Sequence, residues 1–154
     1  MKLSDSTNNL LIKGVVVVFL IIVLTLILLA ASNYPVQWRD QVNKERFRNL
    51  EVFAQAIEYF KLDHVGELFL IPSDPALISN QTGCIFSCPS LGTDISCFNL
   101  QRELVPNYMN KILQDPLLTS DADSGYFISH FDGVLTLGAC HKFFKDQIIL
   151  KRDL

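Results

Sequence analysis

The sequence predicts an α+β fold in which a long, bent N-terminal helix packs on a small antiparallel β-sheet head. Three observations predict it. Residues 15–31 are almost wholly apolar, apolar residues recur at steps of three and four from Leu50 to Phe60, and two runs of β-formers flank Asp132-Gly133. The chain then divides into a leader or cytoplasmic segment, a transmembrane helix, an amphipathic continuation and a disulfide-pinned globular head: residues 1–13, 14–32, 33–63 and 64–154.

The apolar segment is long enough to cross a membrane. No charge occurs between Lys13 and Arg39, and about 20 apolar residues span the hydrocarbon core of a bilayer. Tyr34 and Trp38 follow it, and these aromatic types favour the membrane–water boundary. The alternative is a secretory signal peptide cut near Ala30-Ala31-Ser32, although its apolar core is usually only about 7–15 residues long.

The helix is expected to continue beyond the membrane with a bend at Pro35 and to end near Leu62, before Gly66. Its apolar stripe consists of Leu50, Phe53, Ala54, Ile57 and Phe60. The polar residues placed elsewhere on the helical wheel are Arg46, Glu51, Gln55 and Glu58. Four cations follow the apolar segment and form a basic neck, which we interpret as lipid headgroup contact and a solvated helix face. They are Arg39, Lys44, Arg46 and Arg48.

The head is predicted to contain a turn-rich loop, a short helix and a β-hairpin. Residues 67–71 are assigned to a short strand and residues 72–92 to the loop. Asn99 is a candidate N-cap for a second helix, which Pro106 interrupts and Asp115-Pro116 ends. Beyond the hairpin, residues 141–150 are expected to add a third strand.

Two observations point to opposite orientations of the head. The N-terminal side carries only Lys2 and Lys13 against the four cations of the neck, which favours a cytoplasmic head. Four cysteines in a small domain behind an export-type segment favour two disulfides in an oxidising compartment. We give the cysteines more weight and expect an extracytoplasmic head. These residues are Cys84, Cys88, Cys97 and Cys140.

Three segments together resemble the type IV pilin and type II secretion pseudopilin family. "RDQVNKERFRNLEVFAQAIEYF" is similar to the family's helix, and "LVPNYMNKILQDPL", with Tyr108 and Asp115-Pro116, is similar to the stretch that precedes its sheet. "SGYFISHFDGVLTLGAC" is similar to its closing hairpin. The resemblance covers most of the chain and implies a pilin-like fold.

The resemblance also implies a function and a processing site. The chain would be a structural subunit of a pilus-like filament or a secretion pseudopilus, and its partners would be other pilin-like subunits, the assembly machinery, membrane lipid and a prepilin peptidase. Cleavage would fall between Gly14 and Val15. The chain departs from the family at Phe19, where a glutamate is usual, which favours the alternative of a single-pass inner-membrane protein with a binding or adhesion head that does not polymerise.

The remaining candidate sites concern the cysteines and a possible metal ion. The disulfide pairing we favour is Cys84–Cys88 with Cys97–Cys140, and the rival is a zinc site that adds His141 but lacks two tight Cys-x-x-Cys pairs. Some pseudopilins hold calcium near the corresponding loop, which makes Asp121, Asp123 and Asp132 weak calcium candidates; no other cofactor is expected.

Catalysis and nucleic-acid binding are not expected. Ser129 and His130 adjoin on a predicted strand, where neighbouring side chains point to opposite faces. The sequence lacks the usual hydrolase, metalloprotease and phosphate-loop motifs. It also lacks a dense basic patch interleaved with aromatic residues, and its formal net charge is −3.

Overall fold

The computed structural model describes residues 4–118, 123–142 and 147–154, with the side chains of residues 4–12 and 32–35 left out. It consists of two compact units, residues up to Asp40 and residues from Gln41 onward. Its elements are α1 (Ser4–Asp63), β1 (Ala76–Ser79), β2 (Ile85–Cys88), β3 (Thr93–Asn99), α2 (Gln101–Leu104), β4 (Asp123–Phe131), β5 (Val134–Ala139) and β6 (Ile149–Asp153). The predicted α+β class is confirmed.

Helix α1 ends within a residue of its predicted end. Val65 and Gly66 take left-handed conformations, with φ of 56° and 90°. The Gly66 N–H donates to the Lys61 carbonyl at 2.8 Å, and this closes the last turn in the manner of a glycine-terminated helix. The bend predicted at Pro35 lies outside the residues whose side chains are described.

The C-terminal part of α1 supplies the core of the second unit. Leu50, Phe53, Ala54 and Ile57 are fully buried or nearly so, as the three-and-four spacing predicts. They pack against side chains from one face of the sheet: Tyr126, Ile128, Leu135 and Leu137. Burial of a large aliphatic or aromatic side chain contributes roughly 1.5–3 kcal/mol, so this contact is a main source of the head's stability.

Among the described residues, the sheet has six strands in the order β2-β3-β1-β4-β5-β6. Neighbouring strands are antiparallel except β1 and β3, which are parallel. The predicted hairpin is confirmed: β4 and β5 meet at Phe131 and Val134, and Asp132 and Gly133 have φ of 50° and 77°. Two residues with positive φ match the twist of a two-residue hairpin turn, which explains the Asp-Gly pair.

Two of the predicted elements were wrong. Residues 67–71 form no strand, whereas residues 72–92, predicted as a loop, contain β1 and β2. The third strand expected after the hairpin is confirmed as β6, which pairs antiparallel with β5, but it begins at Ile149, near the end of the predicted segment. The short run of β1 becomes a strand because it lies between β3 and β4 in the sheet, and these pairings come from distant parts of the chain.

The second helix is only four residues long. The N-cap position is Leu100, not Asn99, although Asn99 Oδ1 accepts a hydrogen bond from the Arg102 N–H at 3.2 Å. The helix ends at Leu104, two residues before Pro106. Proline at position 106 cannot donate the hydrogen bond that a continuing helix requires.

Candidate assembly surface

The exposed apolar surface of the first unit is the main candidate for a functional site. From Val15 to Leu29, every valine, leucine, isoleucine and phenylalanine except Val23 is 50–69% exposed. The one polar side chain in this range, Thr25, donates its hydroxyl to the Ile22 carbonyl at 2.8 Å. This surface therefore presents hydrocarbon without an unpaired polar side chain.

One helix in the described part of the chain, lying within Lys13–Asp63, is long and apolar enough to cross a bilayer. The apolar segment of this helix is not buried inside the protein, which distinguishes it from the core helix of a soluble domain. A signal sequence near an N-terminus has the same properties. The observation thus supports membrane association of this segment.

The predicted processing site lies within this helix. An added Cβ at Gly14 would meet no atom within 4 Å, so neighbouring atoms of this chain do not require glycine there. Phe19, where the resembling family has glutamate, belongs to the exposed apolar surface. Cleavage between Gly14 and Val15 stays a prediction.

Arg46 is not on the solvated face to which the sequence assigned it. It is fully buried, and its Nη2 lies 2.8 Å from Asp115 Oδ2 and 3.0 Å from Asp115 Oδ1. Asp115 Oδ1 also accepts the Leu117 N–H at 2.9 Å. Burial of a charge is costly unless it is paired, so each residue requires the other.

The spacing of the helix contained a signal for this pair. Arg46 precedes Leu50 by four positions, and so lies on the same face as the buried stripe. Only its charge suggested exposure. The aspartate of the Asp115-Pro116 segment, noted above for its resemblance to the pilin family, is the buried partner.

A second polar contact joins the same elements. The side-chain amide of Asn49 donates to Tyr126 Oη at 3.0 Å and to the Gln114 carbonyl at 3.2 Å. Burial raises the pKa of Tyr126, while the hydrogen bond from Asn49 acts in the opposite direction. No sequence pattern predicts this contact, because both residues are ordinary in their local patterns.

The disulfides connect Cys84 with Cys97 and Cys88 with Cys140, at Cα–Cα distances of 5.2 and 4.6 Å. The pairing favoured from the sequence was wrong. Strands β2 and β3 pair with Ile85 opposite Ser96, which places Cys84 opposite Cys97. The described residues contain no free cysteine, so the rival zinc site lacks its thiolates.

The calcium candidates are not brought together. Asp123 begins β4 and Asp132 follows its other end, nine positions along an extended strand that rises about 3.3 Å per residue. The two carboxylates therefore cannot share one ion. Asp121 lies outside the described residues. Asp123 lies near Cys84 and Cys97 instead, but their sulfurs are bonded to each other.

The neighbouring pair Ser129 and His130 lies on β4, as predicted. Successive side chains of a strand point to opposite faces, so the two do not form a dyad. The backbone N–H of His130 donates to the Pro72 carbonyl at 2.9 Å, which ties the loop before β1 to the end of β4.

A polar cleft of about 460 Å³ also lies in the second unit. Glu45, Arg48 and Asn49 of α1 line one side of it, and Lys111 and Asp123 are among the residues lining the rest. It mixes both signs of charge, and no aromatic side chain lines it.

Comparison with known proteins identifies no relative: no protein-family model, no curated protein and no solved structure matches this chain. Two parts of α1 indicate a function: the exposed apolar surface from Val15 to Leu29, and the buried stripe from Leu50 to Ile57 that packs on the sheet. A long helix whose N-terminal part is apolar and exposed and whose C-terminal part packs on a small mixed sheet is compatible with a pilin-like fold.

Proposed function

We propose that this chain is a structural subunit of a type IV pilus-like filament or a type II secretion pseudopilus, which assembles through its N-terminal hydrophobic helix. One observation carries the proposal: a single helix, α1, exposes apolar side chains from Val15 to Leu29 and, from Leu50 onward, forms the core of a sheet domain.

The physical argument concerns where hydrocarbon can be buried. Outside a bilayer, an exposed apolar helix is stable only if other apolar surfaces cover it. Helices from other copies can do so while their backbone hydrogen bonds stay internal. The partners on this proposal are other pilin-like subunits, membrane lipid, the assembly machinery and a prepilin peptidase acting at Gly14.

We place the head outside the cytoplasm, on an inner-membrane protein that reaches a surface filament after assembly. The two disulfides support this placement, because such bonds persist in oxidising compartments. The proposal assigns the chain no catalytic residue, cofactor or nucleic-acid partner.

The alternative is a membrane-anchored binding or adhesion protein that does not polymerise. Phe19 favours it, because the resembling family usually has a glutamate there. The polar cleft beside Asn49 gives such a head a place for a ligand.

Crosslinking through Val23→Cys separates the two functions. With a maleimide crosslinker applied to cells, the filament hypothesis predicts a ladder of multimers that is enriched in sheared surface fractions. Lys111→Cys, at an exposed position of the head, is the control: its crosslinking yield measures random collisions between copies. Monomers alone at position 23 would contradict assembly and favour the anchored binding protein.

A further inference from the structure

The two disulfides of the head differ in how far solvent reaches them. Cys88 and Cys140 are both 0% exposed. Cys84, by contrast, is partly exposed, and its partner Cys97 is 9% exposed. A thiol reductant has to reach a sulfur atom before it can open a disulfide. We therefore expect Cys84–Cys97 to open first, while Cys88–Cys140 continues to hold the fold.

A carboxylate lies beside the accessible pair. An Asp123 carboxylate oxygen and the Sγ atoms of Cys84 and Cys97 all lie within 4.8 Å of one another. Asp123 is partly exposed and also lines the polar cleft, which gives water and ions a route to it. Among the described residues its carboxylate has no ion-pair partner. We call Cys84, Cys97 and Asp123 the sulfur–carboxylate cluster.

The backbone around the pair does not depend on the disulfide. The Cys97 N–H donates to the Cys84 carbonyl at 3.0 Å, and the pairing of β2 with β3 continues from Ile85 onward. The Cα atoms of the two cysteines are 5.2 Å apart. Opening the S–S bond therefore leaves two thiols side by side, and rotation of the side chains can separate the sulfurs without moving the strands.

The cluster has the size of a tetrahedral metal site once the pair is reduced. Zn²⁺ binds thiolate sulfur at about 2.3 Å and carboxylate oxygen at about 2.0–2.2 Å, so its ligand atoms lie about 3.6–3.8 Å apart. The separations in the cluster, all within 4.8 Å, need only small side-chain adjustments to reach these values.

The donor set selects the kind of ion. Thiolates bind zinc strongly, whereas calcium and magnesium take oxygen ligands. Two thiolates and one carboxylate therefore favour zinc, and water takes the fourth position of the tetrahedron.

We propose that reduction of Cys84–Cys97 creates a zinc site with Cys84, Cys97 and Asp123 as its ligands. The ion then replaces the disulfide as the crosslink between β3 and the residue before β2. This site differs from the rival site of four cysteines, because Cys88 and Cys140 stay bonded to each other. The inference goes beyond the proposed function and concerns the head wherever it meets both thiol reductants and zinc, as in a cytosol that keeps thiols reduced.

The redox step needs a dithiol as the reductant. One of its thiolates attacks Cys84 Sγ, the more exposed sulfur; the S–S bond breaks and Cys97 leaves as a thiolate. The second thiol of the reductant then attacks the mixed disulfide and releases Cys84. Two electrons pass to the cysteines, the reductant becomes a disulfide, and the thiolates take up protons from water. Zinc binding releases those protons again.

The test uses the full chain in detergent, reduced mildly and then freed of reductant without oxygen. Peptide mapping after alkylation should find Cys84 and Cys97 labelled and Cys88–Cys140 intact, with an unchanged far-UV circular dichroism spectrum. Native mass spectrometry after addition of zinc alone should show one ion on the reduced chain and none on the oxidised chain. Equal zinc binding by the two forms would overturn the proposal, as would simultaneous opening of Cys88–Cys140 or unfolding on reduction.

Three variants identify the ligands. Losing an outer partner of a metal ligand already costs about 10–100-fold in affinity, so Asp123→Asn should weaken zinc binding by the reduced chain at least about tenfold. The control is Asp94→Asn, an exposed carboxylate on β3 outside the cluster, which should bind as the wild type does. Cys84→Ser with Cys97→Ser should bind no zinc. Competition with a chromophoric chelator measures each affinity, and an Asp123→Asn variant as tight as the wild type would overturn the site.

Discussion

Arg46 and Asp115 form a buried ion pair between residues 69 positions apart, with neither side chain exposed to solvent. The pair joins α1 to the segment that precedes β4. Arg46 lies on the same buried face of α1 as Leu50 and Phe53, so the pair adds a polar contact to the apolar packing of the helix on the head.

Removal of one partner should strongly destabilise the head. Asp115→Asn keeps an acceptor for the Leu117 N–H but leaves the Arg46 charge unpaired and buried, so we expect a loss of about 3–5 kcal/mol in the free energy of unfolding. Urea denaturation of the full chain in detergent, monitored by far-UV circular dichroism, measures this loss of stability.

The matched control is Glu58→Gln, which removes the partly exposed pair with Arg152. Such pairs contribute about 0–1 kcal/mol. The double variant Arg46→Met with Asp115→Leu should recover much of the loss, since no buried charge remains. An Asp115→Asn variant as stable as Glu58→Gln would contradict the buried pair.

Val65→Asn should stabilise the head. Asparagine tolerates the left-handed conformation better than valine, whose penalty there is about 1–2 kcal/mol, and almost no buried contact is lost. Thermal unfolding of both proteins measures the gain. Leu70→Asn, at a position 91% exposed without positive φ, should change stability by less than about 0.5 kcal/mol. Equal effects at the two positions would contradict the strain at Val65.

The two disulfides should contribute unequally. Cys88 and Cys140 close a loop of 52 positions and Cys84 and Cys97 one of 13. By loop entropy, removing the first pair should cost about 4 kcal/mol and the second about 3 kcal/mol. Each double cysteine-to-alanine variant is compared with the wild type by urea denaturation. Peptide mapping without reduction tests the pairing itself, and a peptide linking Cys84 to Cys88 would contradict it.

Tyr126 should make stability fall at alkaline pH. Burial raises its pKa above the ordinary value near 10 in the folded protein. Above pH 10 the unfolded chain loses this proton while the folded chain keeps it, so stability declines by about 1.4 kcal/mol per pH unit for this group. Below pH 10 the contribution is fully present.

Tyr126→Phe removes that dependence. It also loses the hydrogen bond from Asn49, so the variant should be less stable at neutral pH and have a shallower decline above pH 10. The unfolding free energy at several pH values between 8 and 11 measures both effects. Parallel curves for the two proteins would contradict the raised pKa.

The helix core and the hairpin could be predicted because their signals are local. Leu50 and Ile57 share a helix face by spacing alone, and Asp132-Gly133 supplies the two positive φ values of a tight turn. Both kinds of signal come from neighbours within a few residues.

The missed features depend on distant parts of the chain. Strand β1 exists because Leu77 pairs with Cys97 on one side and Phe127 on the other. Spacing puts Arg46 on the buried face of the helix, but its partner Asp115 lies 69 positions away, and no local pattern connects the two. The disulfide pairing likewise follows from the register of β2 on β3, which no local pattern gives.

The most direct test of the central claim is the intact mass of the protein taken from its native membrane without reduction. Assembly through the N-terminal helix after processing predicts a mass that begins at Val15, with four hydrogens missing for the two disulfides. A mass that retains the residues upstream of Val15 would contradict the processed filament subunit and leave a permanent membrane anchor.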